Sequence, residues 1–380
     1  MFVELHFIQS FAPANLNRDD TNNPKDCEFG GVRRARISSQ ALKRAIRQEP
    51  SFAEITQRQP GMRTKWMVEQ LQKRLPHDMA EAEGAATILG EFVTSFASKL
   101  DKDGQRTAVL LYLSPAELAR MSEELAAQWP VLTDPKQRGK ALIEMTKGLT
   151  KEFKGRTSAP DIALFGRMLA EHPDLNLDAA CQVAHAISTH RVAMEMDFYT
   201  AVDDLQKEET SGAGMMGFTG YNSACFYRYA RLDWPQLLKN LGGDADSAMM
   251  TVHGFLEASV AAVPSAKQNS FAAHNPPSLL LGAVRQGGMG WSLANAFETP
   301  VRPGRDGGYV AASVKALDHY WQRLTTVYGE RSLAQTAVLE LDEGLPLSAL
   351  AKHRVATLDE WTSALVGAIH RAQAAQGASV

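Results

Sequence analysis

Along this chain the spacing of apolar residues changes period, and that change limits the folds it can adopt. Val3, Leu5 and Phe7 alternate with Glu4 and His6, the two-residue repeat of a half-buried strand. A loop rich in Asn, Asp, Pro and Gly is expected over residues 10–31. Over residues 51–180 the composition turns helical. Within it, Ser114-Pro-Ala-Glu117 reads as a capping box with Pro at the first helical position, and Leu118, Met121 and Leu125 supply the apolar stripe behind it. A short strand over 107–113 precedes it, and a helix over 177–188 is expected to close the region. Strand patterns return at 197–205 and 224–232, on either side of a polar, Gly-rich stretch too long for a tight turn. Near the end, Thr357-Leu-Asp-Glu360 caps a helix with Trp361, Leu365 and Ile369 on one face. Strands interrupted by a helical insert and a projecting hairpin predict an α+β fold.

A length of 380 residues suits two or three structural units. With 44% hydrophobic and 22% charged residues, there is enough apolar material to offset chain entropy, so wholesale disorder is excluded. No apolar run reaches the roughly 18 residues of a membrane span; the longest, Ser278-Leu-Leu-Leu-Gly-Ala-Val284, is strand-sized. The opening Met1-Phe-Val-Glu-Leu-His-Phe7 has an acid and no basic stretch, so a cytoplasmic protein without membrane association is expected. Cys27, Cys181 and Cys225 are isolated thiols, which argues against a disulfide framework or a structural zinc site, and His185 and His190 read as surface or core histidines. No metal or cofactor is expected. Gly287-Gly-Met-Gly290 lacks dinucleotide-fold spacing and reads as a turn.

Charge is informative only locally. The formal net charge is −3, yet residues 29–48 hold Arg33, Arg34, Arg36, Lys43, Arg44 and Arg47 and no acid. A helix over residues 38–48, at about 100° per residue, gathers Gln40, Lys43, Arg44 and Arg47 on one face and turns Ala41, Leu42, Ala45 and Ile46 inward. Ser38 and Ser39 stand at its N-terminus, where free backbone N–H groups favour an anion. A face that merely meets solvent mixes both signs; an acid-free one fits a phosphate backbone.

These residues also carry a resemblance. Leu16-Asn-Arg-Asp-Asp20, Lys25-Asp26 with Phe29-Gly-Gly31, and Arg36-Ile-Ser-Ser-Gln-Ala-Leu-Lys-Arg44 resemble the N-terminus of the type I-E CRISPR Cascade backbone subunit, the CasC family of the RAMP superfamily. Asp161-Ile-Ala-Leu-Phe-Gly-Arg-Met168, Phe198-Tyr-Thr-Ala-Val-Asp-Asp-Leu-Gln206, Phe226-Tyr-Arg-Tyr229 and Ala294-Asn-Ala-Phe297 follow in the same order. The resemblance implies a modified RRM-like (ferredoxin-like) palm from residues 1–57 and 182–380, helical fingers over 58–181, and a β-hairpin thumb at about 192–226. It implies a subunit without chemistry of its own: several copies coat one guide RNA (crRNA), splay its bases at intervals and present it to target DNA. Neighbouring copies and the large, small, guide-processing and 5′-end-binding Cascade subunits are the implied partners.

Residue by residue, Arg18, Lys25, Ser38, Gln40, Lys43 and Arg47 match family positions around the guide backbone, with Arg44 beside them on the cationic face. Met168 matches a methionine that packs against bases. Phe198, Tyr199 and Thr200 match an aromatic–aromatic–Thr run of the thumb, where the family often has Trp-Phe-Thr, and Met216 takes the place of an apolar tip residue. The Gly-rich tip leaves the wedge open among Met215, Met216 and Phe218, and predicts a tip that is disordered until RNA and a neighbour hold it. Lys267-Gln268 could touch RNA or cap a turn. The alternative function is a metal-dependent ribonuclease using the loop aspartates Asp19, Asp20 and Asp26, because phosphodiester cleavage needs carboxylate-held Mg²⁺.

Overall fold

The computed structural model describes residues 1–169, 171–201, 215–305 and 307–377; of the polar, Gly-rich stretch expected over 206–222, residues 206–214 lie outside them and 215–222 are strand rather than loop. Two compact units emerge, Met1–Glu49 with Val183–Arg231 and Phe255–Val380, and Pro50–Gln182 with Leu232–Gly254.

The first unit is built on a sheet. Its strands are β1 (Phe2–Ala14), β2 (Asp26–Phe29), β3 (Val32–Ile37), β4 (Ala186–Ser188), β5 (Glu195–Ala201), β6 (Met215–Asp233), β7 (Leu279–Arg285) and β8 (Leu333–Glu340). They run in the order β8-β7-β1-β6-β4-β3-β2, and β5 and the short strand Cys181–Val183 each pair with β6 off this path. Among its helices are α1 (Ser39–Gln48), α2 (Val310–Tyr328) and α3 (Leu358–Gly377). The mixed helix and sheet make the fold α+β, as the pattern predicts.

Both sheet faces are covered. On one, Trp321, Leu317 and Val314 of α2 meet Ile8, Leu279, Leu281 and Tyr227. On the other, the indole N–H of Trp361 in α3 donates to Ala337 O at 3.2 Å, and the Phe7 and Trp361 rings lie 6.2 Å apart. Gly282 permits this approach, since a Cβ there would fall 2.4 Å from Leu365 Cδ1. Every residue of β7 is therefore buried. Two-sided cover also corrects the reading of β1. Glu4 and His6 sit 0% exposed beside the buried Val3, Leu5 and Phe7, because a central strand between two layers has no solvent face.

Other expectations shift at the boundaries. β1 runs on to Ala14, so the expected loop at 10–31 begins later and contains a strand of its own, β2. The helix expected over 177–188 is absent: Cys181–Val183 and Ala186–Ser188 are strands. Ladder pairing wins there, since Ile187 lies between Arg36 of β3 and Tyr227 of β6 while Ala186 and Ser188 are buried.

The second unit has a helical core, with Ile88, Phe92 and Phe96 of Ala85–Phe96, Leu118, Met121 and Leu125 of Pro115–Leu132, and Met145 and Leu149 of Pro135–Phe153. The capping box forms: Ser114 N–H donates to Glu117 Oε2 at 2.7 Å, and Glu117 N–H to Ser114 Oγ at 3.0 Å. Glu117 also pairs with the buried Arg167 at 2.8 Å. The strand expected over 107–113 is confined to Leu111–Leu113, which pairs with Met62–Thr64.

Candidate nucleic-acid interface

The helix α1 forms as its pattern predicts. Ser38 is its N-cap, with Oγ accepting from Ala41 N–H at 3.3 Å. Leu42 and Ile46 are buried, Leu42 in a cluster with Phe11, Ala35, Ile37 and Phe226. Gln40 and Arg44 are exposed and Lys43 and Arg47 half-buried, so the cationic face lies at the surface. Leu42→Asp should prevent this unit from folding, because it places a carboxylate in an apolar cluster. Loss of the far-ultraviolet strand signal and rapid proteolysis would show it.

The basic run upstream is less available than its sequence suggests. Arg34 is 0% exposed, and its guanidinium donates to Phe29 O (3.1 Å), Ser188 O (3.1 Å) and Phe297 O (2.7 Å). Arg33 pairs with Asp26 at 2.8 Å, and Arg36 bonds Asp26 O and His185 Nδ1. Arg33, Arg34 and Arg36 thus hold the structure together, and Arg44 Nη1 also donates to Ser265 Oγ at 3.4 Å.

The loop carrying Arg18 and Lys25 is tied to α1, since Ser38 N–H donates to Asn17 Oδ1 at 2.8 Å. Within it, Arg18 Nη1 donates to Asn22 Oδ1 at 2.8 Å. Asp19 Oδ1 accepts from Thr21 Oγ1 (2.8 Å), Thr21 N (2.9 Å) and Asn23 N (2.9 Å). These bonds, the Thr21 hydroxyl first, hold the Asp19 carboxyl below the usual carboxylate range. Asp19 therefore shapes the loop and Asp26 pairs with Arg33 between β2 and β3, and among the described residues no three His, Cys, Asp or Glu side chains lie close enough to hold a metal ion.

The hairpin of β5 and β6 begins beside that loop. Asn15 Nδ2 donates both to Asn22 O (3.1 Å) and to Gly220 O (2.9 Å), and a Cβ on Gly220 would fall 2.5 Å from Asn23 Oδ1. Cationic helix, polar loop and ribbon base are thus one connected surface of the same unit. Pairing sets the ribbon's two faces: Met196↔Gly220, Phe198↔Phe218 and Thr200↔Met216 on one, Glu195↔Tyr221, Asp197↔Thr219 and Tyr199↔Gly217 on the other. The first face is apolar and bare, with Phe198 52%, Phe218 65% and Met216 66% exposed. The second carries Glu195 and Asp197 beside the exposed Tyr199 and Met215, with Tyr221 Oη donating to Glu195 at 3.1 Å.

The aromatic run read as one unit is therefore split, Phe198 and Thr200 facing away from Tyr199. Of the three wedge candidates, Met216 and Phe218 share the Phe198 face, and Met215 does not. Met196, 53% exposed on the apolar face, escaped the sequence reading; its period-two spacing from Phe198 was the available signal. Gln268 caps its turn, with Nε2 donating to Pro264 O (3.0 Å) and Oε1 accepting from Ala273 N (2.8 Å). Met168 belongs to the helical unit, 84% exposed beside Arg167, whose backbone exchanges both hydrogen bonds with Leu177 at 2.9 Å. The cavity under the loop, lined by Phe11, Leu16, Lys25, Arg36 and Asn222, holds about 10 Å³, too little for a base.

Residues 3–364 match the model of the CT1975-like protein family. The chain belongs to that family. Among solved structures, it is similar to a chain of a "CRISPR RNA-guided surveillance complex, pre-nicking", at 31% identity and a TM-score of 0.80, covering 97% of this chain and 100% of that one. A chain of a "CRISPR RNA-guided surveillance complex" matches at 28% identity and a TM-score of 0.71, with the same coverage. No curated protein matches. The resemblance to a Cascade-type CRISPR subunit, read from the sequence, holds.

Proposed function

We propose that this chain is the guide-RNA-binding backbone subunit of a Cascade complex, several copies coating one crRNA and presenting it to target DNA. The observation that carries the reading is the joining, through Asn17 to the loop and through Asn15 from the loop to the ribbon, of a cationic helix face to a ribbon with a bare aromatic face. Arg18, Lys25, Gln40, Lys43, Arg44 and Arg47, with the Ser38 N-cap, follow the phosphates of a single strand. Phe198, Phe218, Met196 and Met216 form the surface that parts neighbouring bases, since an aromatic or thioether face beside a cationic track stacks on any base without reading its sequence. Thr200 lies on that same face and Tyr199 on the opposite one, and Met168 meets bases from the helical unit. In this reading the sheet unit is the palm, the β5–β6 ribbon the thumb and the helical unit the fingers. The thumb face that carries Glu195 and Asp197, unsuited to phosphates, turns away from the RNA toward a neighbouring copy or another Cascade subunit.

Replacing Lys43 and Arg47 together by Ala tests this reading. Each lost phosphate contact lowers the slope of log K against log salt by roughly 0.7 for a single strand, so the double variant should bind guide RNA with a slope shallower by about 1.4. Leu42 and Ile46 stay buried, so the sheet unit should remain folded. An unchanged salt slope would refute the phosphate track.

A further inference from the structure

Between the sheet and the ribbon, the ladder breaks. Ser188 of β4 pairs with Phe226, and pairing resumes only at Glu195 with Tyr221, so residues 189–194 stand opposite 222–225 with two to spare. Extra residues on one strand bend it and change its direction. This bulge is where the ribbon acquires its angle to the sheet.

Two side chains bridge the gap, Thr189, whose Oγ1 donates to Cys225 O at 3.2 Å, and His190. The backbone N–H of Cys225, at 3.1 Å from His190 Nε2, can only donate, so Nε2 is the acceptor. The ring proton therefore sits on Nδ1, which donates to Arg191 O at 2.8 Å. The imidazole thus ties β6 to the backbone entering β5 across the broken ladder. It is 4% exposed and lies flat on Tyr309, with ring centroids 3.6 Å apart and planes 8° from parallel. Around it, Ser188 Oγ donates to His190 O (2.7 Å), Thr189 N donates to Cys225 O (2.8 Å), and Ser313 Oγ donates to Thr189 Oγ1 (2.8 Å). Arg34 Nη1 on Ser188 O adds β3, the strand that leads into α1.

We propose that His190, seated on Tyr309, is a positioning residue that sets the angle at which the ribbon leaves the sheet, and so the spacing at which it parts the bases of the guide. The proposal rests on the guide-binding reading above. His190 touches no base or phosphate; it acts through the ribbon.

The test is 2′-hydroxyl acylation along the guide RNA in complexes assembled with the full chain and its partner subunits. Wild type should show regularly spaced reactive nucleotides. His190→Ala should lose that regularity while keeping the wild-type salt slope of RNA binding, because α1 is untouched. His190→Gln, which still offers an acceptor to Cys225 N–H, should restore part of the pattern. Tyr309→Leu, which leaves the backbone bonds but removes the stacked ring, should blur it. A purely structural role would lower the melting temperature of all three and leave the spacing intact, and that result would overturn the proposal. If His190→Ala does not fold, a wild-type pattern in folded Tyr309→Leu overturns it equally. Irregular reactivity in wild type would instead defeat the guide-binding reading, and the positioning role with it.

Discussion

Replacing Glu4 by Leu should destabilise the sheet unit by about 3–5 kcal/mol, the cost of leaving a buried charge without its partner. Glu4 Oε2 accepts from Arg285 Nε at 2.6 Å, and Oε1 from Trp291 N (2.6 Å) and Tyr229 Oη (2.8 Å). Both side chains of the ion pair are 0% exposed, and the guanidinium lies 3.6 Å from the Trp291 ring centroid. Without the carboxylate, Arg285 keeps its charge in an apolar layer, with Ser332 Oγ at 3.0 Å as its hydrogen-bond acceptor. Glu4→Leu combined with Arg285→Met should recover most of the loss, since the desolvation cost of both ions disappears together. Urea unfolding followed by tryptophan fluorescence would measure wild type and both variants. A single-variant loss under about 1 kcal/mol would mean that water reaches Arg285 and that the pair is not sealed.

Acid should destabilise the same unit through His6. Burial is the main cause that lowers its pKa from 6.5 to about 4; Glu4 opposes the shift and Arg285 adds to it. The folded form therefore binds fewer protons than the unfolded chain between those values. The stability contributed by neutral His6 is complete above about pH 6.5 and drains away as pH falls toward 4, a loss on the order of 3 kcal/mol. Burial shifts His190 the same way, adding to the trend. His6→Phe should flatten the pH dependence by the His6 share alone. Parallel stability curves for wild type and His6→Phe between pH 7 and pH 4.5 would rule out the assignment.

How much of this was legible in the residues follows the range over which each feature is decided. Capping and helical period are local. The N-cap at Ser38, the capping box at Ser114 and Glu117, and the inward Leu42 and Ile46 stand where the sequence places them, because a helix needs only neighbours three and four positions away. The hairpin was legible for the same reason, as two strand patterns around a glycine-rich gap. Its faces became separable once pairing showed that period two sends Phe198 and Tyr199 to opposite sides.

What needed the tertiary structure is whatever depends on a distant partner. The alternation of Glu4 and His6 with apolar neighbours is also the pattern of a strand open to water on one side. Only the packing of α2 and of α3 on opposite sheet faces turned both polar residues into core groups that require Arg285, Tyr229 and Tyr227. Residues 186–188 became a strand because β3 and β6 offer backbone partners on both sides, which no local propensity encodes. The basic run 33–47 counts six cations by sequence, but Arg34 is consumed by carbonyls contributed from as far along the chain as Phe297. Sequence alone determined where the chain can form helices and where cations cluster; the tertiary structure decided which polar groups face water. Burial depends on what covers a residue, and most of that cover comes from elsewhere in the chain.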